Sequence, residues 1–333
     1  MNAPVDTSAS RRGAAQALAE RIQAKAPELG QRAIAEMYQN PFWQERFGAY
    51  GREMSDKDSQ FHVSYVVQAL VASEPAVLTN YARWLQTLLV SRGMCSRHID
   101  ENFERLSSAI GHEIAEPGPA LELLAAAREA LVYASGPARE LMLTAETLAE
   151  RVVDALWTRV PTWFSAASTY PSLATFESIH QVERARFKSD ALEYISYLAD
   201  ALHAERPELF VEHAVWMHDF TVRRHGPGAR VEETLHTLAD CLPPAPAAPK
   251  ASRPPGGASA AASGADRASQ RPSRRPPLSQ PPPPPVPVPV SGELAGRARA
   301  VLDAALERLA REAENAVLHA ARAATRAADG GNS

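Results

Sequence analysis

The sequence predicts an all-α protein, and three observations carry that expectation. Apolar residues recur at helical spacing through most of the chain. Hydrophobic residues make up 45% of it and aromatics only 7%, which suits Ala- and Leu-rich helix packing better than the β-branched and aromatic surface of a sandwich. One helical unit also occurs twice, at an offset of 132 residues with no gap. The expected architecture is a duplicated helical bundle, a disordered Pro-rich linker and a C-terminal amphipathic helix. Residues 1–13 form a disordered N-terminus, 14–116 the first repeat, 117–242 the second, 243–292 the linker and 293–328 the final helix.

In the first repeat, Leu18, Ile22, Ile34, Met37 and Tyr38 supply helical spacing, and Pro41-Phe42-Trp43 after Asn40 reads as a helix restart with proline in its first turn. Asp56, Lys57 and Asp58 are expected to open the next helix, which continues through Phe61–Leu70. Ser73-Glu74-Pro75 signals the N-cap and first turn of another, which stops at Gly93. In the second repeat Asp58, Ser64, Tyr65, Ala69, Leu70, Ala72 and Pro75 recur as Asp190, Ser196, Tyr197, Ala201, Leu202, Ala204 and Pro207. Ala82, Trp84, Val90, Arg92, Glu101 and Leu106 recur as Ala214, Trp216, Val222, Arg224, Glu233 and Leu238. Upstream, Tyr38, Pro41 and Trp43 have loose counterparts in Trp157, Pro161 and Trp163, with an insertion at 168–180. The recurring positions read as core, with Tyr65, Ala69 and Ala72 on one face and Leu78, Tyr81, Leu85 and Leu88 on the next. Trp84 and Trp216 read as core anchors beside those stripes.

Residues 243–292 carry Pro, Ala, Ser and Gly with no apolar period, and the proline run after Gln280 is expected to form stiff polyproline II. Helical composition returns after Gly292. Ala295, Leu302, Leu306, Leu309, Ala313, Ala316, Ala320 and Ala323 trace a narrow seam, with Leu302, Leu306, Leu309 and Ala313 as its partner-facing positions, and Glu307–Arg311 and Arg308–Glu312 as exposed pairs. Such a helix wants a partner, in this chain, in a second copy or in another protein.

Net charge and cysteine content exclude some function classes. The formal charge is −4, and the linker is basic because Lys250, Arg253, Arg267, Arg271, Arg274 and Arg275 outweigh Asp266, so the helical region is acidic and nucleic acid is not its expected partner. Two cysteines, Cys95 and Cys241, are too few to staple a secreted fold, and the N-terminal residues lack the apolar run of a signal peptide. A cytoplasmic location and no membrane span are expected.

No catalytic set is found. Glu177-x-x-His180 and Glu233-x-x-His236 imitate the paired units of di-iron bundles, with Glu146 and Glu212 on intervening helices. Their apolar neighbours turn them away: Val231, Leu235, Leu238 and Leu242 form the stripe beside Glu233 and His236, and Leu173, Phe176 and Ile179 do the same beside Glu177 and His180. These four are therefore weak metal candidates, and no cofactor is expected. Cys95-x-x-His98 with His112 lacks a second close pair for zinc and reads as a loop cysteine with solvated histidines. His62, three residues before Tyr65 on the buried side, is the histidine best placed to meet a ligand, and Tyr194 stands there in the second copy.

Phe61–Leu70 followed by Pro75–Met94 resembles helical modules found beside cobalamin-binding domains in bacterial regulatory proteins, where an H-x-x-Y-x-x-x-A-L helix precedes a Y-x-R-W-L helix ending in Arg-Gly. His62, Tyr65, Ala69, Leu70, Tyr81, Arg83, Trp84, Leu85, Arg92 and Gly93 carry the match. The second copy keeps Tyr197, Ala201, Leu202, Trp216 and Arg224, with His213 in place of Tyr81. The resemblance implies a sensory or regulatory module. It does not imply cobalamin binding, since the D-x-H-x-x-G ligand motif is absent.

The expected function is that of a non-enzymatic regulatory or adaptor protein, with a protein partner or self-association through residues 293–328. A second reading is a tetrapyrrole-type or small-ligand sensor with His62, Tyr65, Tyr81 and Trp84 lining a pocket. A di-iron enzyme is the third.

Overall fold

A computed structural model describes residues 7–161, 163, 173–225, 230–243 and 289–330. These form α1 (Thr7–Ala24), α2 (Ala26–Met37), α3 (Pro41–Ala72), α4 (Pro75–Ser91), α5 (Ser96–Glu113) and α6 (Gly118–Glu129). They continue as α7 (Gly136–Arg159), α8 (Leu173–Ala204), α9 (Pro207–His225), α10 (Arg230–Cys241) and α11 (Gly292–Gly330). No strand occurs among the described residues, so the fold is all-α. Most of the stretch read as a linker, residues 244–288, lies outside the described residues.

Local chemistry sets the helix ends. Asn40 Oδ1 accepts the Phe42 N–H at 3.0 Å with Pro41 in the first turn, so α3 starts where the sequence predicts. Asp56 opens nothing: α3 is already helical there, bent at Gly48 by a φ of 65°, and the charged trio lies inside one long helix. Ser73 ends α3 where an N-cap was expected. Its φ of 53° lets the Ser73 and Glu74 N–H groups reach Leu70 O and Ala69 O at 3.0 and 3.1 Å. Glu205 repeats that left-handed closure at the end of α8, with φ 54° and Arg206 N–H on Ala201 O at 2.9 Å. Between α2 and α3, Gly30 permits a close crossing, since a Cβ there would overlap Ser59 Oγ.

The helices build two cores. Leu18, Ile22, Leu29, Val66, Leu78, Phe103 and Leu124 belong to the first, formed by α1–α6. The second is formed by α7–α11 and takes in Leu148, Leu198, Phe210, Leu235 and Leu302, together with Phe42, Trp43 and Cys95 from the first repeat. The repeats are therefore packed together through shared residues.

The duplication is visible helix by helix. α8 is α3 displaced by 132 residues at both ends. α7 packs on α8 and α10 as α1 and α2 pack on α3, and α2 on α5. α6 packs against α4, α5 and α3, and its face of Ala120, Leu123, Leu124 and Ala127 closes the first core although the 117 boundary would put it in the second repeat. α11 packs against α9, α10, α7 and α8. The final helix thus stands in the second repeat where α6 stands in the first.

Of the seam positions, Leu302 and Leu309 are buried, Leu306 is half-buried against the second core, and Ala313 is exposed. Leu294, Ala295, Ala298, Val301 and Ala305 extend the buried stripe toward the start of α11. Polar contacts seat that start. Ser291 Oγ donates to Glu140 Oε2 at 2.6 Å, and the Arg297 and Arg299 guanidinium groups donate to Leu202 O at 3.1 Å and Leu242 O at 2.7 Å, carbonyls at the ends of α8 and α10. Among the described residues no helix is long and apolar enough to cross a membrane.

Candidate functional site

His62 lies on the buried face of α3 with Val63, Val66, Ala69 and Leu70, while Ala72, expected on that face, is exposed. Its Nδ1 and the Tyr81 hydroxyl are 2.7 Å apart, and Tyr81 stacks on Tyr65 at 3.8 Å between ring centres. Trp84 lies at the outer end of this aromatic ladder, 5.9 Å from Tyr81. It is 56% exposed and anchors no core, because its place on α4 falls one step outside the Leu78–Tyr81–Leu85 stripe. Burial lowers the His62 imidazole to about 4 and keeps it neutral. Burial, with Asp58 and Tyr65 nearby, raises the Tyr81 hydroxyl.

The space beside His62 is a cavity of about 70 Å³, lined also by Asp58, Trp43, His98 and Asn102. A pocket for a drug-sized ligand is at least about 300 Å³. The four residues read as a cofactor site do come together, but the cavity at their inner end holds only a small group.

The second repeat carries the same constellation with two residues exchanged. Tyr194 and His213 stand where His62 and Tyr81 stand, and Tyr197 stacks on His213 at 3.7 Å with an interplanar angle of 12°, as Tyr65 does on Tyr81 at 13°. Trp216, the counterpart of Trp84, is partly buried. Phe42 meets it edge-on at 5.3 Å and Arg46 lies over its ring at 4.8 Å, both from the first repeat.

At this covered site Glu193 Oε1 lies 3.6 Å from His98 Nε2 and 3.7 Å from His213 Nε2. Burial alone would lower His98, but Cys95 and the Glu193 carboxylate outweigh it and hold the imidazole above its ordinary value. Burial lowers His213 to about 3. Burial would raise Glu193, yet His98 and His213 bring it below the usual carboxylate range. The two imidazoles are therefore pushed in opposite directions around one carboxylate. A cavity of about 120 Å³ reaches it, lined by Trp43, His98, Arg97, Arg105 and Glu193.

Beside it, Asp200 of α8 caps α5 across the repeat boundary. It accepts from Ser96 N and Oγ at 2.7 and 2.6 Å and from the Tyr133 hydroxyl at 2.6 Å, while Gln86 donates to Ser96 Oγ at 2.7 Å. Burial raises the Asp200 carboxyl to about 6, against the pull of those bonds.

Compared with known protein families, curated proteins and solved structures, the chain finds no match. The geometry itself must decide between readings.

Among the described residues the metal candidates do not converge. Glu233 is 3.6 Å from Arg159, His236 and Glu212 are exposed, and Glu146 pairs with Lys188 at 2.9 Å. The Glu177 and His180 side chains lie outside the described residues. Among the described residues no three His, Cys, Asp or Glu side chains are grouped to hold a metal ion. The solvated reading of Cys95-x-x-His98 needs correction. Both are buried because α5 is pressed by its N-terminus against α8, and only His112 is exposed. Sequence reasoning also missed Glu193 and Asp200. Their signal was available in the repeat itself: Glu193 and Asp200 replace Phe61 and Gln68, which puts two acids seven residues apart on α8 where α3 has none.

Proposed function

We propose that the protein is a non-enzymatic regulatory adaptor in which α11 is an exchangeable closing helix of the second repeat. One observation supports this reading above the others. α11 takes the place that α6 takes in the first repeat, yet residues 242–291 separate it from α10, whereas only a few residues separate α6 from α5. A closing helix on so long a connection is held by its own contacts and not by a short loop, and the long tether lowers its effective concentration at the site, so another amphipathic helix with the same stripe competes when present in excess. The regulatory resemblance of the first repeat agrees with this reading.

The test is exchange in the full-length protein. A labelled peptide of residues 289–313 is added, and its incorporation is followed by fluorescence anisotropy. Incorporation is expected, with loss of the signal when Leu302 and Leu309 of the peptide are replaced by serine. If the peptide fails to enter over a day at a large excess, α11 is a permanent part of the fold and the adaptor reading in this form is wrong.

A further inference from the structure

The contact between the repeats shows what fits a face of this kind. On α8 and α9 the face includes Glu193, His203, Trp216 and Arg224; other parts of the chain touch all four and leave Glu193 and Trp216 partly buried, while His203 and Arg224 stay exposed. His98 faces Glu193, Tyr133 stacks on His203 at 3.7 Å, Phe42 and Arg46 lie against Trp216, and Glu45 accepts from Arg224 Nε at 2.9 Å. The turn that meets Trp216 and Arg224 is the start of α3, from Phe42 to Phe47.

The equivalent positions on α3 and α4 are Phe61, Val71, Trp84 and Arg92. Phe61 is 60% exposed, Val71 53% and Trp84 56%, and Arg92 is also exposed. Phe61, Val71 and Trp84 are three of the large apolar side chains exposed among the described residues, and Phe61 lies one helical turn from Tyr65, whose stack on Tyr81 leads to Trp84. Two of them are apolar where the covered copy is polar, with Phe61 for Glu193 and Val71 for His203. Clustered apolar exposure of this kind marks an interface.

We propose that the Phe61–Trp84 face of the first repeat docks a helix of another protein whose opening turn matches Phe42–Phe47: adjacent aromatic residues, an acid for Arg92 and an arginine for the Trp84 ring. This rests on the adaptor reading and gives that adaptor a receptor surface and a partner chemistry. The partner is not a second copy. In a second copy the Phe42–Phe47 turn already covers its own Trp216, and the loose counterpart of Trp43, Trp163, is stacked on Phe187 at 6.1 Å beneath Arg230. A guanidinium over a tryptophan face and buried aromatic anchors are the contacts that carry binding at such sites.

The probe is a synthetic peptide of residues 39–52, titrated into full-length protein labelled with 5-fluorotryptophan. Five tryptophans give five fluorine resonances, and the one lost in Trp84→Phe reports on the face. The expected result is a saturable shift of the Trp84 resonance with the other four unmoved, weakened about tenfold in Phe61→Ser, a change at an exposed position whose folding a melting curve confirms. A Trp84 resonance that stays still at about 1 mM peptide overturns the proposal, since that concentration detects even weak docking. So does a shift of the Trp216 resonance in its place, which means the peptide competes for the covered face. A Trp84 resonance that moves with protein concentration alone also overturns it, by showing that a second copy occupies the face. Any of these results leaves α11 exchange unaffected, because the face and α11 lie on different repeats.

Discussion

His62 and His213 are sealed from solvent, and burial lowers them to about 4 and about 3, so both are neutral in the folded protein at neutral pH. A histidine whose folded value is depressed contributes stability that is complete above its unfolded value near 6.5 and is lost as pH falls through the folded value. For His62 the difference corresponds to about 3 kcal/mol. Asp190 and Asp200 act the other way. Burial raises them to about 7 and about 6, so their contribution is complete below the ordinary carboxylate range and is lost as pH rises through those values. The wild-type pH profile mixes the two trends, and a difference isolates one. His62→Gln keeps a hydrogen-bonding partner for Tyr81 but does not titrate. Its stability relative to wild type is expected to rise by about 2–3 kcal/mol between pH 6.5 and pH 4 in chemical denaturation. Parallel profiles for the two proteins would mean that His62 is not protonated on unfolding in that range.

At the scale of the helix, α11 divides into a docked half and an overhang. Leu294 to Leu309 bury their apolar stripe, whereas Val317 and Leu318 are 68% and 49% exposed. Leu302→Ala is expected to cost about 2–5 kcal/mol, as for other fully buried leucines. Ending the chain after Glu312 should change stability by no more than about 0.5 kcal/mol, since residues 313–319, which follow the docked stripe, are all exposed. Thermal or urea melts of the two variants read both values, and an equal loss in each would put the docking contacts further along α11 than Leu309. The seam of this helix was legible in the sequence because its three- and four-residue spacing survives without neighbours. Its partner was not. Leu302 and Leu309 specify an apolar groove but carry nothing to say that the groove lies in the same chain, and only the position of α6 in the first repeat makes the match apparent. Trp84 and Trp216 fail for a related reason. The two recur at one offset and look alike in sequence, but Trp216 is covered by the other repeat and Trp84 faces solvent, a difference that arises only when the copies pack.

Across the whole molecule the repeats are joined by polar as well as apolar contacts, and Asp200 is the centre of the polar set. It receives two donors across the boundary from Ser96, and a third from Tyr133 of the second core. Asp200→Asn keeps the size but substitutes an N–H₂ for one accepting oxygen, so at least one donor loses its acceptor, a cost of about 2 kcal/mol. Amide exchange is expected to speed up at the start of α5 and at the facing turn of α8, while the centres of the two cores keep their protection. Unchanged exchange at α5 would show that apolar packing alone joins the repeats. The all-helical class was legible from short-range periodicity, and the duplication from residue identities that recur at one fixed offset. This junction was not, because Ser96 and Asp200 are 104 residues apart and neither has a counterpart of its own type in the other copy.

The place of α11 also sets an order for synthesis. By the time Glu129 has been made, every helix of the first core exists, and that half can fold while the rest is still being translated. The second core cannot. After Cys241 its remaining apolar stripe lies beyond residues 242–291, which at ordinary translation speeds take roughly 3–10 s to make. Throughout that interval the faces of α9 and α10 that α11 will cover stay open on the ribosome, so the nascent chain presents a binding groove before its own closing helix is available to fill it.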